Sequence, residues 1–164
     1  MPNWKKYDDA RPYSTVGGFA IDAHGCFPIM HRSNAVRSVR NCWSLPTGNC
    51  EIGVDMVDQF KIELKEELNI EAAPCAEAIG WYDNISKETD NWWHWIVHIV
   101  AVPVISLEHM VNREPLKHDQ IISIDLDGLY RMIDEHQAFA PHHAEFFVAN
   151  RQRITQVYQD FLKR

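Results

Sequence analysis

Along most of the chain, apolar residues either alternate with polar ones or recur at helical spacing. Residues 14–30 carry Val16, Phe19, Ile21, Phe27, Ile29 and Met30 around the turn signal Asp22-Ala-His-Gly25, and predict a β-hairpin. A short strand over 42–45 runs into Pro46-Thr-Gly48 and a loop containing Gly53. From Asp55, a suitable N-cap, Val57, Phe60, Leu64 and Leu68 recur every three or four positions and predict a helix over 55–68 that Asn69 would end. Residues 78–82 predict another strand. The strongest strand pattern covers 92–105, where Trp93, Trp95, Val97, Ile99 and Ala101 form an apolar face. His94, Ile96, His98, Val100 and Val102 form the other, mixed face. A strand over 121–126 and helices over 127–136 and 141–162 follow, the last opening on Pro141. Strands before, between and after helices predict an α/β or α+β sandwich around one mixed sheet.

Composition narrows this picture. The 164 residues are 46% hydrophobic and 24% charged, without a linker or an internal repeat, so one domain over 1–164 is expected. A net charge of −7 opposes a broad basic footprint, so stable nucleic-acid binding is not expected. The apolar run over 92–105 is too short to span a bilayer, and the first residues lack the apolar stretch of a signal peptide. A cytoplasmic protein with no membrane association is expected. Cys26, Cys42, Cys50 and Cys75 are dispersed with no C-x-x-C pair, which fits reduced thiols.

The helix over 55–68 carries the candidate chemistry. Glu63, Glu66 and Glu67 stand at i, i+3 and i+4 and share one face. Like charges at this spacing cost about 0.2–0.5 kcal/mol per solvated pair, and more when partly buried. A divalent cation would remove that repulsion, and hard carboxylate oxygens suit Mg2+ or Mn2+. A plain solvated face offset by Lys61 and Lys65 is the other reading of the helix alone. Arg32, Arg37 and Arg40 are candidates for neutralising substrate phosphates. His94 and His98, four apart on one strand face, are open to three readings: structural histidines, substrate contacts or a metal pair. Among Trp43, Trp81, Trp92, Trp93 and Trp95, one exposed ring could stack on a nucleobase.

The segment from Leu45-Pro-Thr-Gly48 to Ile70 resembles the box of the Nudix hydrolases, G-x5-E-x7-R-E-U-x-E-E-x-G-U, with U aliphatic. Gly48 takes the first Gly, Glu63 the Glu after the Arg, Leu64 the aliphatic position, Glu66 and Glu67 the paired Glu, and Ile70 the final aliphatic, without a gap. The flanks are also similar, with a hairpin and arginines before the box and a loop at 83–90 followed by a strand after it. Val54, Ile62 and Asn69 depart from the box, standing where Glu, Arg and Gly are expected. That Glu and Arg brace the loop against the helix in the family. Losing both together strands neither charge, and an apolar contact between Val54 and Ile62 is expected to replace the pair.

The resemblance implies a Nudix-type α/β/α sandwich around a mixed β-sheet, and a Mg2+- or Mn2+-dependent pyrophosphohydrolase acting on nucleotides. Glu63 and Glu67 would ligate the metal, Glu66 would ligate it or support a ligand, and the Gly48 carbonyl would add a backbone oxygen. The stretch Glu114-Pro-Leu-Lys-His-Asp119 resembles a loop of nucleoside triphosphate pyrophosphatases, which puts Asp119 at a further metal-binding carboxylate position. His118 beside it resembles the base of the GDP-mannose hydrolase branch. The expected reaction is cleavage of (deoxy)nucleoside triphosphates to monophosphate and pyrophosphate, by a homodimer. A nucleoside diphosphate sugar hydrolase of GDP-mannose or ADP-ribose type is the enzymatic alternative, and a nucleotide-binding protein that has lost catalysis is the other.

Overall fold

The computed structural model describes residues 12–88 and 91–163, with 86–88, 91 and 92 described by backbone alone. Seven strands and four helices follow in chain order: β1 (Tyr13–Ile21), β2 (Phe27–Arg32), β3 (Cys42–Ser44), β4 (Thr47–Asn49), α1 (Met56–Leu68), β5 (Glu77–Glu88), β6 (Asn91–Pro103), β7 (His118–Ile124), α2 (Leu126–Asp134), α3 (His143–Ala149) and α4 (Arg151–Leu162). The strands form two sheets. A four-stranded mixed sheet has the order β4-β1-β6-β5, with β1 parallel to β6, and a three-stranded antiparallel sheet has the order β3-β2-β7.

The first hairpin therefore needs correction. Asp22–Gly25 does form a tight turn, in which the Asp22 carboxylate accepts from the backbone N–H of His24 and Cys26 at 2.9 and 2.8 Å. Gly25 supplies the positive φ of 80° that the turn requires. Beyond the turn the two strands part into different sheets, because each finds a longer ladder elsewhere, β1 with β6 and β2 with β7. The expected loop at 83–90 is likewise strand as far as Glu88, paired with β6 up to Glu88↔Asn91; residues 89 and 90 lie outside the described residues, as does the ring of Trp92.

Helix α1 forms as its spacing requires. The Asp55 side chain accepts from the Val57 N–H at 2.8 Å, and Asn69 closes the helix in the left-handed region at φ 59°. Its stripe of Phe60, Leu64 and Leu68 packs on Val16 and Ala20 of β1 and Val100 and Val102 of β6. Burying each of these side chains is worth about 1.5–3 kcal/mol. The opposite face of the mixed sheet, with Phe19, Val97, Ile99 and Ala101, packs with Leu129 of α2, Phe147 of α3, and Ile154 and Val157 of α4. Helices thus cover both sides, giving an α/β/α sandwich.

The single C-terminal helix expected over 141–162 is two helices. His142 sits in the left-handed region at φ 65°, which keeps Pro141 outside α3, and Asn150 separates α3 from α4. The Asn150 side-chain amide and its backbone N–H both donate to the Phe146 carbonyl at 2.9 Å, closing the last turn of α3 there. Helix α2 starts one residue earlier than expected, with Asp125 as its N-cap, accepting from Gly128 N–H at 2.7 Å. Among the described residues no helix is long and apolar enough to cross a membrane.

Candidate metal centre and adjoining cavity

The three glutamates of α1 meet three different environments. Glu66 is exposed, Glu63 half-buried, and Glu67 only 7% exposed. Strand β4 explains the position of Glu63. A side chain at Gly48 would overlap the Glu63 carboxyl group, so only glycine lets that carboxylate lie against the β4 backbone. Burial, more than any other cause, raises the Glu63 pKa, partly offset by a hydrogen bond from Gln59.

Gln59, missed from sequence, fixes that carboxylate. Its amide donates to Glu63 Oε1 at 2.9 Å, and its own oxygen accepts from the Glu51 backbone N–H at 3.3 Å. It thereby ties the loop at 50–55 to the helix, the brace that Val54 and Ile62 cannot make. Val54 is half-buried and Ile62 is 41% exposed, so these two do not form a buried apolar replacement. The signal available in the sequence was the spacing of Gln59 four residues before Glu63. Glu51 itself is exposed.

Glu67 belongs to a second grouping. One ligand atom each from Glu67, Glu114 and His118 lies within 4.8 Å of the others. Glu114 and His118 are brought there by a turn before β7, in which Glu114 carbonyl accepts from the N–H of Lys117 and His118 at 2.8 and 3.0 Å. Asn112 braces it, accepting from Glu114 N–H at 3.1 Å and donating to the His118 carbonyl at 2.7 Å. Burial first, then the Glu114 charge and hydrogen bond, push the Glu67 carboxyl up to about 8. Burial also works upward on Glu114, but the Lys117 ammonium, 2.6 Å from its Oε1, outweighs it and leaves the net shift downward. One proton is thus held between two carboxyls, on the deeper one. Burial first and the Arg32 charge second lower His118 to about 4, so its ring is neutral. Glu67 Oε2, Glu114 Oε2 and His118 Nδ1 are all buried, and apart from the proton shared by the two carboxyls they have no hydrogen-bond partner among the described residues. Two carboxylates and a neutral imidazole with free lone pairs suit a divalent cation, and Glu63 borders them closely enough to raise Glu67 further.

Asp119 is placed elsewhere. A bulge between His31 and Arg32 shifts the β2–β7 register, and the Asp119 carboxylate lies 2.7 Å from His31 Nδ1, half exposed. Glu114, the other acid of the same short stretch, takes the place beside Glu67. Its side chain follows from the fold of the turn, which no spacing rule in the sequence encodes.

Of the three arginines, Arg32 reaches inward, its guanidinium held by the carbonyls of Val39 and Ser38 at 2.8 and 3.2 Å. Arg37 and Arg40 are exposed, and Arg40 bonds carbonyls of its own turn. A cavity of about 230 Å³ opens beside Gly48, bordered by Arg32, Ser44, Tyr82, Asn84, Trp95 and His143 among others. His94 and His98 share the parity of Val100 and Val102 on β6, hence the α1 side of the sheet, whereas Trp95 and Val97 face the cavity. His94 is paired to Asp83 at 2.7 Å. Neither histidine lines the cavity or joins the carboxylate cluster.

No family model matches the sequence, and no curated protein matches it. Solved structures do. A MutT protein from Methanosarcina mazei Go1 superposes with a TM-score of 0.69 at 16% identity, over 88% of this chain and 96% of the other. A MutT NUDIX hydrolase from Burkholderia pseudomallei gives 0.62 at 20% identity, over 90% and 98%. A bifunctional NMN adenylyltransferase/ADP ribose pyrophosphatase from Francisella tularensis, complexed with AMP and a manganese ion, gives 0.62 at 16% identity, over 96% of this chain and 44% of that one. The chain has the fold of the Nudix hydrolases.

Proposed function

We propose that this chain is a Mg2+- or Mn2+-dependent Nudix pyrophosphohydrolase that cleaves (deoxy)nucleoside triphosphates to the monophosphate and pyrophosphate. The observation that carries the reading is the group Glu67, Glu114 and His118 beside Glu63, whose buried polar atoms have, among the described residues, no partner beyond the proton that the two carboxyls share. Leaving such groups unpaired is costly, about 1–3 kcal/mol each and more for charges, and a bound cation removes that cost. Glu67 and Glu114 would hold the ion, with Glu63 and the Gly48 backbone at its margin and His118 either ligating or accepting a proton at Nδ1. When bound, the ion supplies charge withdrawal from phosphate oxygens and lowers the pKa of water.

The protein's own residues do the rest. Gln59 holds the Glu63 carboxylate in one orientation, and Arg32 presents a fixed positive charge between the cluster and the cavity, suited to a phosphate. The cavity beside Gly48 would take the nucleoside end. The fold likeness to part of the bifunctional Francisella protein, named in part as an ADP ribose pyrophosphatase, keeps a nucleoside diphosphate sugar such as ADP-ribose as the second reading.

The test is turnover of the eight common (d)NTPs, ADP-ribose and GDP-mannose with Mg2+ or Mn2+, with Glu67→Gln alongside. Monophosphate and pyrophosphate from triphosphates, lost in the variant, are expected. Turnover confined to the sugars would transfer the assignment to the second reading. Silence across the panel, from folded protein that still binds nucleotide, would make it a nucleotide-binding protein without catalysis.

A further inference from the structure

Among the described residues, the buried side-chain atoms without a partner fall into two places. Glu67, Glu114 and His118 account for one; Ser44 Oγ, Asn84 Oδ1 and both ring nitrogens of His143 account for the other. These last three residues line the same cavity. Ser44 is 2% exposed and His143 4%, so bulk water does not satisfy them.

The cavity has the chemistry of a ring-binding site. Tyr82 and Trp95 give it aromatic walls, and among the described residues no carboxylate lines it; Arg32 is its one charged side chain. His143 is held rigidly, its ring stacked on Phe147 at 5.6 Å and 17° and edge-on to Tyr82 at 5.8 Å. A neutral imidazole presents one N–H donor and one acceptor, a serine hydroxyl presents both, and an amide oxygen accepts. Donors and acceptors fixed in this way before the ligand arrives are what an edge-reading site requires. A planar heterocycle with adjacent donors and acceptors matches them, and a sugar or phosphate alone does not fill aromatic walls. Gly48, on the edge strand β4, borders the cavity and on the α1 side lies against the Glu63 carboxylate, so phosphates of a ring held in the cavity would pass round that edge to the carboxylate cluster.

Resting on the reading of the chain as a nucleotide pyrophosphohydrolase, we propose that His143, with Ser44 and Asn84, reads the hydrogen-bonding edge of the nucleobase and sets base preference. His143 comes from the C-terminal part of the chain, well away from the glutamate-bearing segment, so base preference and metal binding are separable by mutation.

The experiment measures affinities of AMP, GMP, CMP, UMP and ribose 5-phosphate for the metal-free protein by calorimetry, and kcat/KM for the four triphosphates with Mg2+. Wild type is expected to rank the bases over at least about tenfold, with ribose 5-phosphate weakest. His143→Phe, which keeps a ring against Phe147, should compress that spread to within about threefold, and His143→Gln, which restores a donor and an acceptor, should recover part of it. Ser44→Ala and Asn84→Ala should each change the order, and they keep the proposal testable if His143→Phe does not fold. An unranked wild type, ribose 5-phosphate binding as tightly as the nucleotides, or variants that leave the ranking intact would overturn the proposal. A protein that cleaves no triphosphate, yet binds monophosphates in an order that His143→Phe compresses, would refute the reaction and retain the base reader.

Discussion

At the residue scale, a carboxyl that keeps its proton near neutral pH must give it up to receive a metal ion. Glu67 is held at about 8 by burial and by Glu114, so cation binding at pH 6–7 displaces a proton. Apparent affinity for Mg2+ or Mn2+ should therefore rise by up to about tenfold per pH unit from pH 6 to 8 and then level off, with proton release seen by calorimetry in two buffers of different ionisation heat. Glu67→Gln should lose at least about 100-fold in turnover, while its unfolding midpoint stays level or rises, since the variant is a permanent mimic of the protonated acid. Gly48→Ala tests the other side of the centre. The added methyl overlaps the Glu63 carboxyl group and must displace it, so metal affinity should drop with the helix itself intact by circular dichroism. The glutamates of α1 were legible in the sequence because helical spacing puts them on one face, and Gly48 because it takes the first Gly of the Nudix box that the segment resembles. Glu114 was not, and Gln59 only through its spacing to Glu63, since their contacts with the loop at 50–55 and the turn before β7 exist only once these are folded.

At the scale of elements, the end of α1 explains how Asn can stand where the Nudix box has Gly. The position needs φ near 59°, which Asn tolerates better than other non-glycine residues. Asn69 also gives something glycine cannot: its Oδ1 accepts from Arg113 Nη2 at 2.7 Å, while Arg113 Nη1 reaches the Lys65 carbonyl at 3.3 Å. Arg113 N–H donates to the Glu67 carbonyl at 2.9 Å, so this clasp ties the backbone of Glu67 to the residue before Glu114. Asn69→Gly should be nearly neutral for stability, the lost hydrogen bond offsetting the relieved backbone. Arg113→Ala should cost about 1 kcal/mol by denaturant unfolding and weaken metal binding as well, whereas a purely local cap would spare the metal. The amphipathic spacing of α1 and its capping residues showed this helix within a residue at its start. Strand partners were not legible in the same way: alternation in β1 and β2 marks two strands joined by a turn, but says nothing of which ladder each will join. The unbroken helix expected from Pro141 is interrupted at Asn150, whose backbone leaves the helical region at φ −105° and ψ 16°.

For the whole molecule, protonation joins the two sites into one stability profile. His118 and His143 are both lowered to about 4 from an ordinary 6.5, by burial first and by the Arg32 charge second. As pH falls below 6.5 the unfolded chain takes up protons that the folded chain refuses, so stability declines from about pH 6.5 toward pH 4. For fully buried His143 the loss reaches on the order of 3 kcal/mol. Glu67 works in the opposite sense. Its carboxyl, raised to about 8, keeps in the fold a proton that the unfolded chain releases above 4.5, so stability declines as pH rises from 4.5 through 8. Two histidines outweigh one glutamic acid at about pH 5.5, and only the glutamic acid counts at about pH 7.5, so the slopes cancel near pH 6.5. Chelator-treated protein should accordingly unfold at its highest temperature near pH 6.5 and lose stability on both sides. A cation that binds the ionised carboxylates removes the alkaline decline and moves the maximum above pH 7. His143→Phe should flatten the acid side and leave the alkaline side unchanged, because the cavity and the carboxylate cluster titrate independently. Thermal unfolding across this range, with EDTA and with saturating Mn2+, checks all three. A profile indifferent to the metal would mean that Glu67, Glu114 and His118 hold no ion, and would remove the observation on which the proposed hydrolase rests.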